Sequence, residues 1–130
     1  MDLQSLRDAL NAKKTEKQGY LKTAADIKVI YDRMKEDKDA VIGYKKSVKS
    51  FIDEEYSTFK GDLFVNTYQA KGNELISAYE TVITNIDTNL DRLNNAKCDY
   101  ENKAYACDPI IGHLEGLINS IITSIQNQLN

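Results

Sequence analysis

The 130 residues carry 17 basic and 20 acidic side chains, a formal charge of −3, with 42% hydrophobic and 28% charged residues. That balance excludes a chain disordered or membrane-embedded in bulk, and the interspersed charges give nucleic acid no concentrated basic face. One proline and six glycines are too little punctuation for sheets or sandwiches, which need a turn about every 8–12 residues, so the expected class is all-α.

The first ten residues, MDLQSLRDAL, are amphipathic and carry acids early. They lack the apolar core and cleavage site of a secretory signal peptide. No run reaches the ~18 apolar residues of a membrane span.

From Leu3 onward apolar residues return every three or four positions, through Leu6, Leu10, Tyr20, Ala24, Ile27, Tyr31, Met34, Val41, Val48 and Ile52. All fall on one a/d heptad register, which predicts a first helical arm over about 3–56. Lys13, Lys17, Lys38 and Lys45 share that register. Their stems can lie along the seam with the ammonium in water, so the helix persists, but the seam is weaker than that of a self-sufficient coiled coil. The remaining lysines of the arm alternate with acids, the pattern of a solvated helix surface.

The stretch STFKGDLFVNTYQA (57–70) interrupts this pattern and holds two of the three phenylalanines. A bend is expected at about 57–62, where Gly61 permits a tight reversal and the neighbouring aromatics pack across it. A second seam then reads Leu75, Tyr79, Val82, Ile86, Leu90, Leu93, Ala96, Tyr100, Ala104, Cys107, a second arm over about 63–107. Its spacing loosens near Leu90 and after Tyr100, which predicts local unwinding of a supercoil. At Asp108-Pro109 the expectation is an N-cap followed by proline at the first helical position, so the arm is kinked or broken there.

The last helix, about 109–129, is the most apolar segment. Ile111, Leu114, Leu117, Ile118, Ile121, Ile122 and Ile125 form a broad stripe that needs a partner surface. Its polar face has no Lys or Arg, which argues against interfacial membrane binding. The resulting expectation is a single domain, 1–130: an elongated, coiled-coil-like antiparallel helical hairpin. Two arms alone leave apolar stripes and tyrosines partly uncovered, so another protein is expected to complete the bundle.

The chemistry-bearing residues are sparse. The one histidine, His113, lies two residues from Glu115, a spacing that points the two in different directions on a helix. No HExxH, CxxC or glycine-rich phosphate loop is present, and the acidic pairs lack the spacing of a calcium loop. No catalytic residue, metal or cofactor is expected. Cys98 and Cys107, nine apart, are about 13 Å apart along a continuous helix, too far for a disulfide, and are expected as buried thiols. Gly112 and Gly116 form a GxxxG, a weak sign of a close helix crossing. Among eight tyrosines, Tyr20, Tyr31, Tyr79 and Tyr100 fit seam positions, where they serve either as core edge or as an adaptable interface.

Phe59-Lys60-Gly61, followed by Leu63, Phe64 and Tyr68, resembles the W-x-G bend of the WXG (Esx-like) helical-hairpin superfamily exported by type VII secretion systems. Phe59 stands for the usual tryptophan, and the chain is longer than the standard hairpin. These departures make it more similar to the α-helical proteins (Lap, YwqH-like) that accompany LXG toxins in the type VIIb systems of Gram-positive bacteria. The resemblance implies a non-enzymatic targeting chaperone that packs against the helical N-terminal domain of an LXG toxin, alone or with a second small helical protein. It implies Phe59, Gly61, Phe64 and Tyr68 as the hairpin-bend motif. It also suggests an export signal of aromatic-x-x-x-acid form, which occurs here as Phe51 and Glu55. Ile111, Leu114, Ile118, Ile121, Ile125, Tyr79 and Tyr100 are the expected partner interface. The expected location is cytoplasmic, with co-export beside the partner by a route that reads no signal peptide, and the same stripes are compatible with a homo-oligomer. Two other readings fit parts of the pattern. One is a cytosolic coiled-coil scaffold or prefoldin- or tubulin-cofactor-like chaperone, with Phe59–Tyr68 as a linker or small β-hairpin. The other is a bacteriocin-immunity-like four-helix bundle, which requires a break near Gly43.

Overall fold

A computed structural model shows an all-α helical hairpin. It describes residues 2–58 and 64–129, with the side chains of 55–58 and 64–66 excepted. α1 covers Leu3–Thr58, a π-helical segment covers Phe64–Gln69, α2 covers Ala70–Tyr105 and α3 covers Asp108–Leu129. No strand occurs among the described residues. Thus Phe64–Gln69 is helical rather than part of a β-hairpin, and α1 passes through Gly43 without the break that a four-helix bundle needs.

The chain forms two compact units. One joins Met1–Lys28 to Asn94–Asn130, and the other is Val29–Leu93. In each, two helical segments run antiparallel.

In the first unit, α1 begins on an N-cap: the Ser5 amide donates to Asp2 Oδ1 at 2.7 Å, satisfying one of the orphan amides of the first turn. That bond holds the Asp2 carboxyl below its ordinary value. Leu6, Ala24, Ala104, Cys107 and Ile118 are its buried apolar residues. Lys17 reaches Asp108 at 2.7 Å and Lys14 reaches Glu115 at 3.8 Å, a register that brings Leu6 near the level of Ile118–Ile122. Tyr20 and Tyr100 meet with ring centroids 6.3 Å apart, and the Lys103 ammonium lies 5.0 Å from the Tyr100 centroid, within cation–π range.

α2 ends where the Cys107 amide donates to Ala104 O, three residues back rather than four. The Ile111 amide then donates to Cys107 O at 2.9 Å. Cys107 therefore occupies the cap position and Asp108 the first helical one, a residue earlier than expected from Asp108-Pro109. The carboxylate of Asp108 is engaged by Lys17 instead, and its charge still suits a helix N-terminus.

In the second unit, Lys38 bonds Asp87 at 2.6 Å and Lys45 lies 3.2 Å from Glu80. Ile52 and Leu90 are its buried apolar residues. Gly72 sits under Ile52, and a Cβ added to it would lie 2.7 Å from Ile52 Cγ1. This is the one glycine among those described where close packing demands the missing side chain.

Every expected seam residue of α1, from Leu3 to Ile52, is buried or half-buried, including the four lysines. The second arm differs. Leu75 and Val82 are each 44% exposed, and the covered residues are Ile76 and Ile83. The covered positions run Gly72, Ile76, Tyr79, Ile83, Ile86, Leu90, Leu93, Lys97, Tyr100, Ala104, Cys107, Ile111, Leu114, Ile118, Ile121. That is an alternation of fours and threes, beside which Ala96, the seam residue expected from the sequence, is also half-buried. Leu75-Ile76 and Val82-Ile83 are apolar doublets, and only the register shared with Tyr79 and Leu90 decides which member faces inward.

Candidate interaction surface

The seam lysines answer a question raised by their own positions. Lys17, Lys38 and Lys45 have their stems covered and their ammonium groups on carboxylates of the facing arm. Hydrogen bonds to Asp108 and Asp87 raise the Lys17 and Lys38 pKa values above that of an ordinary lysine. Lys13 is satisfied within its own helix by Glu16 at 2.8 Å, and that bond raises it as well. Glu16 is lowered by Lys13 and then by the Tyr20 hydroxyl, which donates to it at 3.2 Å and is itself raised by that bond. A lysine in an apolar seam weakens the packing but admits only the register that gives it a counter-charge.

The two flanks of the second unit have opposite character. On one, Tyr31, Lys35, Lys38, Asp39, Asp87 and Asp91 surround a polar hollow. The other is set by the residue preceding alternate seam positions on each arm: Ile30, Tyr44 and Phe51 on α1, with Tyr68, Leu75 and Val82 on the second arm. Their exposures run from 44 to 62%. Phe51, Tyr68 and Leu75 line an apolar hollow of about 400 Å³ with Val48, Ile52 and Gly72. Gly72 contributes by absence, since a side chain there would enter the space of Ile52.

Of the expected partner-interface residues, Ile118 is buried and Ile111, Leu114 and Ile121 are half-buried inside the first unit. The stripe has thus found its partner surface in the N-terminal part of α1. Ile111 shares a hollow with Lys14, Lys17 and Leu21. Ile125 stays 45% exposed. Tyr79 and Tyr100 are half-buried seam residues. Of the bend motif, Phe59 and Gly61 lie outside the described residues, as does the side chain of Phe64, whose backbone is π-helical. Tyr68 is exposed on the apolar hollow, and so is Phe51. The Glu55 side chain lies outside the described set, so its relation to Phe51 does too.

Cys107 is buried, its thiol donating to Lys103 O at 3.5 Å, whereas Cys98 is exposed rather than buried. Both are free thiols. Cys98 follows the seam residue Lys97 and so points away from the facing arm. Gly112 and Gly116 face open space, with nothing within 4 Å of an added Cβ, so none of the described helices crosses there. Among the described residues no group of three His, Cys, Asp or Glu is placed to hold a metal. No described helix is long and apolar enough to cross a membrane.

The apolar flank could not be read from the sequence as a surface, although its signal is present: Tyr68, Leu75 and Val82 recur every seven residues, as do Tyr44 and Phe51. Comparison of the chain with protein-family models, curated proteins and solved structures found no match.

Proposed function

We propose that this chain is a non-enzymatic binding protein, a helical partner and targeting chaperone for the helical N-terminal domain of an LXG toxin exported by a type VII (Esx) system. The observation that carries this reading is the apolar flank of the second unit, where six large side chains remain 44–62% exposed on a helix pair otherwise edged with charge. Clustered apolar surface, as Phe51, Tyr68 and Leu75 form around one hollow, marks a protein-binding face. The likeness of Phe59-Lys60-Gly61 to the W-x-G bend supplies the type of partner.

On this reading the chain acts in the cytoplasm, holds the toxin's helices beside its own, and leaves with them or hands them to the secretion machinery. A second small helical protein completes the assembly on the toxin's other side. The test is co-expression with the LXG domain encoded in the same locus, followed by co-purification and measurement of affinity. A stable 1:1 or higher complex is expected. A chain that stays monomeric and shows no affinity for that domain overturns the reading.

A further inference from the structure

The second arm of the second unit carries two seams of the same period, one covered and one exposed. Gly72, Ile76, Tyr79 and Ile83 are covered against α1, whereas Tyr68, Leu75 and Val82, also seven apart, are exposed. Both seams lead to the buried Leu90. Ile83 stands seven residues before it, the heptad distance, and Val82 stands eight. The exposed seam therefore comes into phase with α1 when one additional residue is accommodated between Val82 and Leu90.

Such a residue is stored in the same arm. Phe64–Gln69 is π-helical and runs directly into α2. A π-helical turn closes its hydrogen bonds five residues on rather than four, so it holds about one residue more than an α-helical turn. Moving that turn toward Leu90 leaves the helix beyond it unchanged. Each residue it passes advances by one position along the seam, about 1.5 Å and 100°. The stretch around Val82 is suited to receive it. Thr81, Thr84 and Thr88 donate their hydroxyls to the carbonyls of Ser77, Glu80 and Thr84 at 3.1, 3.0 and 3.1 Å. Bonds of this kind bend helices, and they leave those carbonyls a partner when a backbone bond is given up.

We infer that the second unit has two registers, exchanged by passage of the π-helical turn from Phe64–Gln69 to the span between Val82 and Leu90. In the observed register Ile76, Tyr79 and Ile83 are covered. In the other, Leu75, Ala78 and Val82 take their places and Lys71 takes that of Gly72. The stem of Lys71 then lies along the seam as those of Lys38 and Lys45 do, but its Cβ meets Ile52, whose side chain must turn aside. That cost, the smaller Ala78 and the loss of the Lys45–Glu80 pair keep the second register the minor one. The exchange withdraws Tyr68, Leu75 and Val82 from the apolar flank, so register governs how much of that face is offered. The inference rests on spacing and hydrogen bonding, not on the partner proposed above.

Disulfide trapping tests this on the full-length chain carrying Cys98→Ser. The Lys38–Asp87 and Lys45–Glu80 pairs put Val41 at the level of residues 82–83 and Val48 at that of 75–76. Val48→Cys/Ile76→Cys reports the observed register. Val48→Cys/Leu75→Cys and Val41→Cys/Val82→Cys report the other. Each is oxidised at low concentration and scored as a monomeric disulfide. The first pair is expected to close readily and the other two at least about 10-fold more slowly, as a minor state requires. Ile52→Ala is expected to speed the slow pairs by removing the side chain that Lys71 meets. Deleting Thr67, an exposed residue of the π-helical turn, removes the spare residue. It is expected to stop closure of the Leu75 and Val82 pairs while the Ile76 pair still closes.

Slow pairs that never close in the undeleted chain overturn the inference, and so does closure at an unchanged rate after the deletion. Deleting Thr67 while inserting an alanine after Asn85 moves the spare residue and keeps the chain length. It is expected to make the Leu75 pair close faster than the Ile76 pair, and an unchanged order overturns the inference even where the deletion alone unfolds the chain.

Discussion

Gly72 and Ile52 meet so closely that a single methyl group on the glycine would lie 2.7 Å from Ile52 Cγ1. Ile52 is only 7% exposed, so relief requires its side chain to turn toward the hollow it lines. Gly72→Ala is expected to cost about 1–3 kcal/mol through overpacking, despite alanine's better helix propensity. Gly43→Ala, where nothing lies within 4 Å, is expected to gain about 0.5–1 kcal/mol. Chemical denaturation of the two variants checks the opposite signs, and Ile52→Val should recover part of the Gly72→Ala loss.

The register of the second arm makes a sharper demand. Ile76→Ala and Ile83→Ala are expected to destabilise by about 2 kcal/mol or more, as truncations of seam side chains do. Leu75→Ala and Val82→Ala should stay within about 0.5 kcal/mol, the range of surface changes. Equal effects across each doublet would refute the 4–3 alternation described above. Leu6→Ala, at a residue 2% exposed, should cost about 2–5 kcal/mol.

These doublets mark the limit of what the sequence made legible. The class, the long first helix and its whole seam follow from the period, because one register runs unbroken from Leu3 to Ile52 and selects the inward member even at doublets such as Ile30-Tyr31 and Phe51-Ile52. In the second arm Leu75-Ile76 and Val82-Ile83 offer two candidates each, and only the facing helix chooses between them. The α3 stripe was legible as apolar, but not that Leu6 and its neighbours in α1 would cover it, since pairing across nearly the whole chain leaves no local trace. Cys98 was misplaced for the same reason as Leu75: one residue of phase separates seam from surface.

The seam ion pairs predict a charge-swap result. Lys38→Glu sets two acids against each other and should lower the melting temperature, and adding Asp87→Lys should restore much of it. Measurement of the single and double variants isolates the coupling. Additive losses would mean that the 2.6 Å contact does not hold in solution.

The same groups set a pH window. Lys17 and Lys38 are raised by their bonds to Asp108 and Asp87. Their contribution is complete below the unfolded lysine pKa of about 10.4 and is lost as pH rises through the higher folded values. Glu16 is lowered by Lys13 and Tyr20. Its contribution is present above the unfolded value of about 4.3 and is lost as pH falls through the lower folded one. Thermal melts should therefore be level between about pH 5 and 10 and decline on both sides. Lys17→Met/Lys38→Met should flatten the alkaline decline and Glu16→Gln the acid one.

The cysteines give a direct probe of packing. Cys98 should react with a thiol reagent in the native protein at a rate close to that of a free thiol. Cys107, 4% exposed, should react only through local opening. Simultaneous labelling of both would show that the Ala104–Cys107 turn opens readily.

The heptad count passes through the α2–α3 interruption without a change of phase: Tyr100, Ala104, Cys107, Ile111, Leu114 and Ile118 keep their fours and threes although the hydrogen bonding changes at Cys107 and a proline stands at 109. What is conserved across that turn is therefore a count of residues rather than a backbone shape. Deleting Ala106 would rotate everything after it by about 100°, carrying Ile118 out of the core without altering any residue of α3. Length changes in these arms are admissible in whole heptads, or as compensating changes in both.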